Sequence, residues 1–239
     1  MSTLGVRRPT PVVIAILATL VATYILVALV VRFAGFGPGL YESLRLDPAG
    51  VLDGKVWTLV TYALLHDLTS PMHMVFNGLL LVFFGPELEE RWGKKRFVLF
   101  LALTILGGGL GVMTSHVLGL SSNPVVGASA FVEGLMVAWG LTFRDRTFLM
   151  MFVLPMRGIH MVWLAVGLGV LDAVSFGPVS ASAHFGGMAT AAILVLGVWR
   201  TNKMKLVVDD LLVKLGLRKK ARLTIVPPPR RGGPDDYVH

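Results

Sequence analysis

Polar side chains occur inside stretches of this sequence that are otherwise apolar, and they include the residue types that acyl-transfer chemistry needs. They are His66, His73, Asn77, Ser129, Glu133 and His184. A serine hydroxyl is a weak nucleophile until a base such as histidine accepts its proton. Ser129 and His184 are therefore a candidate nucleophile and a candidate general base.

The stretch NPVVGASAFVEG places Ser129 at the predicted start of a helix. Pro124 and Gly127 precede it, so the chain can turn tightly into that helix. The first amides of a helix have no partner within it, so the Ser129 amide can stabilise an oxyanion during acyl transfer. His73 and Asn77 are four residues apart, which puts both on one face of a helix. Both side chains can then donate to the same oxyanion.

Each of these residues also has a structural interpretation. A serine in a helix of small residues can serve packing, and a histidine in an apolar segment can be a satisfied structural group. For His66, which lies in a predicted loop, the structural role is as well supported as a functional one. A metal site is disfavoured because the histidines have no carboxylate or thiolate at ligand spacing, and Asp67 faces away from His66. We expect no metal and no other cofactor.

The composition indicates that membrane helices carry these residues. Of the 239 residues, 54% are apolar and 15% are charged, whereas a soluble domain has about 25% charged residues. A helix crosses a bilayer with roughly 20 apolar residues. On that basis we place six crossings, at 11–33, 70–88, 97–118, 127–143, 158–175 and 182–199. The predicted fold class is an all-α membrane protein with a six-helix bundle.

The first crossing is predicted to be retained in the protein. It follows Arg7 and Arg8, as a signal peptide would, but its apolar run is too long for a signal-peptide core and no convincing cleavage site follows. The chain has no cysteine, which excludes disulfides and thiol catalysis.

The basic residues predict how the helices are oriented. Of the 22 Lys and Arg residues, 19 lie in 1–10, 89–96, 144–157 and 200–239. The positive-inside rule then places both termini in the cytoplasm, and the net charge of +8 needs no nucleic-acid partner to explain it. In this orientation His73, Asn77, Ser129 and His184 all lie in the outer third of the membrane. Unrelated packing residues would have no reason to share that depth.

We expect one membrane domain flanked by two segments, so the chain divides into three parts. They are a cytoplasmic N-terminus (1–10), a six-helix domain (11–199) and a basic cytoplasmic tail (200–239), which is partly an amphipathic helix and then disordered. The first outer loop, 35–69, is predicted to lie in the outer interface with Trp57 and Tyr62 at headgroup level. The apolar stretch 148–154 is too short to cross, so we expect it in the interface or packed on the bundle.

Five short motifs, taken in their order along the chain, resemble those of the rhomboid family of intramembrane serine proteases. The resemblance covers roughly residues 55–200. WTLVTYALLH is similar to the family's Trp-Arg-containing loop segment, with Thr58 in place of the arginine. HMVFN resembles His-x-x-x-Asn, and ELEERWGKKRF resembles the Glu-Arg-x-x-Gly turn. GASA resembles Gly-x-Ser-Gly, and AHFGGMATA resembles Ala-His-x-x-Gly-x-x-x-Gly.

The resemblance implies a catalytic dyad that requires no aspartate. Ser129 would be the nucleophile and His184 the general base, while His73, Asn77 and the Ser129 amide would form the oxyanion hole. The helices that carry the dyad must pack closely for these two side chains to touch. Small residues suited to such packing are Gly127, Gly134 and Gly187.

The resemblance also implies the partners. Family substrates are membrane proteins with a transmembrane segment, which is cut near its outer end, so we expect such substrates, membrane lipids as surroundings and a location in a bacterial inner membrane. The alternative is a catalytically silent rhomboid-like protein that binds membrane segments.

Glu133 departs from the family pattern, which usually has an aromatic residue four positions after the serine. If Glu133 faces the last helix, it can accept a hydrogen bond from His184 and hold its tautomer, as the third member of a triad does. Otherwise it bonds to another internal polar group or is protonated within the bundle.

Overall fold

Proline begins the first helix of the chain, since its fixed φ is favoured at a first helical position. The computed structural model describes residues 7–34, 36–120, 122–150, 154–176, 178–197 and Val213. In chain order the elements are α1 (Pro11–Phe33), α2 (Gly37–Leu44), α3 (Pro48–Leu52), α4 (Thr58–Thr61), a 3-10 turn (Tyr62–Leu64), α5 (Pro71–Trp92), α6 (Lys94–Val117), α7 (Ser129–Thr142), β1 (Thr147–Met150), β2 (Leu154–Arg157), α8 (Gly158–Phe176) and α9 (Pro178–Leu196). The predicted tail, 200–239, lies outside the described residues apart from Val213.

Four of these helices are long and apolar enough to cross a membrane. They are α1, α5, α6 and the Gly158–Ser175 part of α8. Helix α7 and the Ala181–Leu196 part of α9 are apolar but shorter. With 14 residues, α7 is only about 21 Å long at 1.5 Å per residue, which is less than the roughly 30 Å hydrocarbon core of a bilayer. The described chain is therefore mostly helical, with four candidate spans.

Helix α5 continues beyond the end that the sequence predicts. The prediction ended this crossing at residue 88, just after the first charged residue, Glu87, but the helix runs on to Trp92. Its carboxylates do not end the helix because they are paired with groups of neighbouring elements. Gly93, with a φ of 80° that favours glycine, then separates α5 from α6.

A β-hairpin between α7 and α8 corrects the all-α prediction. Strands β1 and β2 pair antiparallel, with Thr147 opposite Arg157. Of the apolar stretch expected at 148–154, residues 148–150 and 154 thus lie in strands, because a short run of apolar and aromatic residues suits a strand as well as a helix. Phe148 packs on the bundle, with its ring centroid 5.0 Å from that of Trp139.

The segment between α1 and α5 folds into short helices that pack on the bundle. Tyr62, which we predicted at headgroup level beside Trp57, is instead fully buried. Its hydroxyl donates to the Ile105 carbonyl at 2.8 Å, which satisfies the polar tip of a side chain whose ring is apolar. Trp57 is half-exposed, and its indole N–H donates to the Ser43 carbonyl.

Two adjacent glycines let α9 touch two other helices. A Cβ atom added to Gly186 would lie 2.3 Å from the Gly107 carbonyl oxygen of α6. A Cβ atom at Gly187 would lie 2.1 Å from the Ala130 carbonyl oxygen of α7. Backbones can approach this closely only where no side chain intervenes, so α9 is fixed against the start of α7.

Candidate active site

Ser129 and His184 are in contact. Ser129 is the first residue of α7, and His184 lies in α9 one turn before the glycine that touches Ala130. His184 Nε2 is 2.7 Å from Ser129 Oγ, which is hydrogen-bond distance. This contact joins residues 55 positions apart in the sequence.

The chain enters α7 through a turn that only glycine suits. Gly127 has a φ of +129°, and its amide donates to the Tyr62 carbonyl at 3.0 Å. Two hydrogen bonds between the backbones of Leu46 and Val125 hold the same segment. The segment that precedes α5 therefore positions the start of α7. No described side chain caps this helix start.

His73 lies beside the same turn. A Cβ atom at Gly127 would be 2.7 Å from His73 Cε1, so the imidazole lies directly against the glycine. The same Cβ position is 3.6 Å from Ser129 Oγ, so His73 and Ser129 both lie beside Gly127. Asn77 follows one turn later in α5 and is buried.

His66 belongs to this cluster. Its Nε2 lies 3.3 Å from Asn77 Nδ2, and its ring lies edge-on to that of His73, with 5.3 Å between the ring centroids. Burial, with a smaller effect of nearby His73, lowers the pKa of His66 to about 4. His66 is therefore neutral at pH 7, and a neutral imidazole has one nitrogen that accepts a hydrogen bond. Nε2 in that role accepts from Asn77.

Asp67 is occupied elsewhere. Its Oδ1 accepts hydrogen bonds from the Thr69 hydroxyl at 2.7 Å and from the Thr69 amide at 2.8 Å. These bonds hold the pKa of Asp67 below its ordinary value. Within the described ranges, no three His, Cys, Asp or Glu side chains are grouped so that they could hold a metal ion.

Two carboxylates face the other nitrogen of His184. Glu133 Oε1 is 3.3 Å from His184 Nδ1, and Asp172 Oδ2 is 3.7 Å from it. Among the described residues, neither His184 Nδ1 nor Glu133 Oε2 has a partner with hydrogen-bond geometry. The Glu133 contact is thus close but not aligned as a hydrogen bond.

Sequence reasoning missed Asp172. The signal was present, because Asp172 is the one carboxylate in the predicted crossing 158–175. An ionisable group inside a span costs roughly 2.5 to 3.5 kcal/mol on insertion scales, so each one needs an explanation. None of the family motifs quoted above includes this position.

The three glycines that the sequence singled out lie in different settings. Gly187 and Gly134 are both at the contact between α7 and α9, since a Cβ at Gly134 would be 3.3 Å from the Gly187 carbonyl oxygen. Gly127 lies in the turn before α7, against the His73 ring. Its role there is conformational.

Comparison with known proteins gives a consistent result. The sequence profile of the Rhomboid domain matches residues 53–201, more than half of the chain. A protein of Bacillus subtilis (strain 168), named "Putative rhomboid protease YdcA", is 36% identical over 86 residues, which cover 36% of this chain and 41% of that protein. RHOMBOID-like protein 4 of Arabidopsis thaliana is 30% identical over 168 residues, which cover 64% of this chain and 38% of that protein. In both comparisons the chain spans less than half the length of the relative.

Proposed function

Because the chain belongs to the rhomboid family, we propose that it is an intramembrane serine endopeptidase that cleaves transmembrane segments of membrane proteins near their outer end. The observation that carries this proposal is the 2.7 Å contact between Ser129 Oγ and His184 Nε2. Ser129 is only partly buried, and it lies at a helix end, where water for hydrolysis can reach it.

In the proposed reaction, His184 Nε2 takes the proton from the Ser129 hydroxyl as its oxygen attacks the scissile carbonyl carbon. The tetrahedral intermediate carries a negative oxygen, which accepts hydrogen bonds from the Ser129 amide, His73 and Asn77. His184 then gives its proton to the leaving amine as the C–N bond breaks. Water, deprotonated by the same imidazole, hydrolyses the acyl-enzyme and frees Ser129.

The positions of these groups near the starts of their helices support a common depth in the membrane. Ser129 begins α7, while His73 and Asn77 lie in the first two turns of α5. We place all of them at the outer side of a six-crossing bundle in a bacterial inner membrane, with both termini in the cytoplasm. The short α7 and α9 complete the six crossings inside the bundle, and the segment from α2 to α4 lies in the outer interface with Trp57 at its surface.

Glu133 is part of the proposal as a residue that orients His184. It is the nearer of the two carboxylates, at 3.3 Å from Nδ1. A negative group there favours the tautomer that leaves Nε2 free to accept the serine proton.

Cleavage by the purified, vesicle-reconstituted protein tests the proposal. The substrate is a membrane protein whose transmembrane segment carries helix-destabilising glycines near its outer end. Ser129→Ala and His184→Ala should each lower cleavage by more than about 10³-fold. Ser115→Ala and His160→Ala are the matched controls and should cleave normally.

A fluorophosphonate reagent, which reacts with activated serines, separates an unsuitable substrate from an inactive site. The wild-type protein should be labelled at Ser129, and His184→Ala should not. Absence of both labelling and cleavage in the wild-type protein would favour the alternative, a silent protein that binds membrane segments. Cleavage that persists in Ser129→Ala would contradict the assignment of the nucleophile.

A further inference from the structure

Side chains from two helices converge on the Nδ1 nitrogen of His184, which itself belongs to a third helix. His184 comes from α9, Glu133 from α7 and Asp172 from α8. Both carboxylates have an oxygen within 4 Å of Nδ1. The exposed fractions of the side chains are 10% for Glu133, 21% for Asp172 and 11% for His184, so little water separates them. A catalytic dyad needs neither carboxylate.

The approach of α8 to α9 appears in the packing around Asp172. Gly169 lies three residues earlier in α8, hence on the same face. A Cβ atom added to Gly169 would lie 3.1 Å from Met188 Cε and 3.3 Å from Phe185 Cζ. The small residue at this position thus allows α8 to lie close to α9 beside Asp172.

Two carboxylates that face the same nitrogen repel each other when both are ionised. Like charges that share a site favour a state with one proton between them, as in other carboxylate pairs. One negative charge beside Nδ1 suffices to balance the positive charge that His184 acquires when it takes the serine proton. The remaining charged or titratable group that faces His184 in the described structure is His73, which lies on the serine side of the ring.

We propose that Glu133 and Asp172 act as one singly charged acid pair that positions His184 and stabilises its imidazolium form. Asp172 is then a positioning residue supplied by α8. The inference rests on the proposed function, in which His184 is the general base. No proton leaves Nδ1 in the reaction: the serine proton enters at Nε2 and leaves from Nε2, while the pair keeps its single proton and single charge.

A shared charge predicts redundancy between the two carboxylates. In E133Q, Asp172 still faces Nδ1 and can carry the single charge, and in D172N, Glu133 can carry it. Each single variant should therefore lose only about two- to fivefold in kcat/KM, whereas E133Q/D172N should lose more than about 50-fold. E133Q/D172E keeps one carboxylate and should resemble E133Q. Asp53→Asn, at an exposed position, is the control.

The pH midpoint of the His184 imidazole distinguishes the proposed role from a structural one, because carboxylates that only support the fold would not change it. The signals of isotope-labelled histidine, assigned by comparison with His184→Ala, give the pH midpoint of the imidazole by NMR in detergent micelles. The midpoint should fall by about one pH unit or more in E133Q/D172N and by less than about a third of a unit in either single variant. E133M/D172S replaces the double amide variant if that variant does not fold.

Equal midpoints in the wild-type protein and in the uncharged double variant would overturn the proposal. Single effects that add up to the double effect would also overturn it, because independent carboxylates add and a shared charge does not. The titration needs no substrate, so it decides the acid pair even if the wild-type protein cleaves nothing. Absence of cleavage would count against the proposed function alone.

Discussion

Buried carboxylates lie at both ends of the helix bundle, but they are bonded in different ways. At the end where α5 finishes, Glu87 accepts hydrogen bonds from the Trp139 indole at 2.7 Å and from the Arg146 guanidinium. Glu89 accepts from the Thr10 hydroxyl and from the first amides of α1. We call this the arginine end. Each of these carboxylates is surrounded by directed donors.

The opposite end, where Ser129 contacts His184, is called the serine end. Glu133 lies 3.3 Å from His184 Nδ1, yet the Glu133 Oε2 and His184 Nδ1 atoms have no aligned partner among the described residues. The amides at the start of α7 have no side-chain cap. The carboxylates of the arginine end therefore accept hydrogen bonds from several donors, whereas polar atoms of the serine end have no aligned partner among the described residues.

The two ends should therefore differ in what they contribute, the arginine end to folding stability and the serine end to the proposed catalysis. A buried carboxylate with several donors stabilises the elements that it joins. Donors held ready but not satisfied contribute less to stability, and they become useful when a charge develops during a reaction. Substitutions at the arginine end should therefore change unfolding, and those at the serine end should change catalysis.

The largest expected effect is at the oxyanion hole. His73→Ala should lower kcat by about 10²- to 10³-fold, the usual cost of losing one such donor, while the midpoint of thermal unfolding changes little. Steady-state cleavage and thermal unfolding in detergent measure the two quantities. His116→Ala is the matched control, since His116 is partly exposed and its side chain bonds only to Ser122 among the described residues. A loss of stability as large as the loss of activity would remove the distinction between the two ends.

The second-largest expected effect is at Glu89, the carboxylate that accepts hydrogen bonds from the start of α1. Glu89 is buried and accepts from the Thr10 hydroxyl and from the amides of Val12 and Val13. Glu89→Ala should lower the free energy of unfolding by about 2 to 3 kcal/mol, because it leaves these donors unpaired. The kcat/KM of the folded protein should be unchanged.

Glu90→Ala is the control for this variant. Glu90 pairs with Arg7 at an exposed site, where an ion pair is worth about 0 to 1 kcal/mol. Denaturant unfolding of both variants gives the comparison. An equal loss in the two would mean that burial of Glu89 adds nothing.

The smallest predicted effect is the pH dependence of stability due to His66. In the folded protein burial lowers the pKa of this residue to about 4, from an ordinary value of 6.5. Between these values the unfolded chain binds a proton that the folded protein does not, so stability rises with pH. Stability contributed by neutral His66 is complete above pH 6.5 and falls by about 2 kcal/mol as the pH drops to 5.

Unfolding of the wild-type protein and of His66→Gln at pH 7 and pH 5 measures this contribution. The variant should lose about 2 kcal/mol less than the wild-type protein over that range. Equal losses would show that His66 does not titrate in this window. Glutamine keeps a group that can bond to Asn77, so the oxyanion hole should be little disturbed at pH 7.

Much of the candidate site could be predicted because polar residues are conspicuous in apolar helices. Ser129, His73 and His184 were selected by their residue types, by shared depth and by family motifs, and the structure brings the three together. Helix existence was also predictable, since long apolar runs leave few alternatives in a membrane.

Other features could not be predicted because they depend on packing between distant elements. The burial of Tyr62 requires the Ile105 carbonyl as a partner, and no local pattern reports that pairing. The hairpin at β1 and β2 has an apolar run too short to distinguish a strand from a helix. The approach of Asp172 to His184 depends on how α8 packs against α9. The spacing of residues within one helix carries no information about that packing.

The contact of Gly187 with the Ala130 carbonyl has a consequence for biosynthesis. Ser129 leaves the ribosome 55 residues before its partner His184, so the partly made chain carries a hydroxyl with no base to activate it. The base arrives only when α9 inserts beside α7, and the two adjacent glycines allow it to seat at the required distance. Under the proposed function, insertion of α9 beside α7 is therefore the step that completes the catalytic pair.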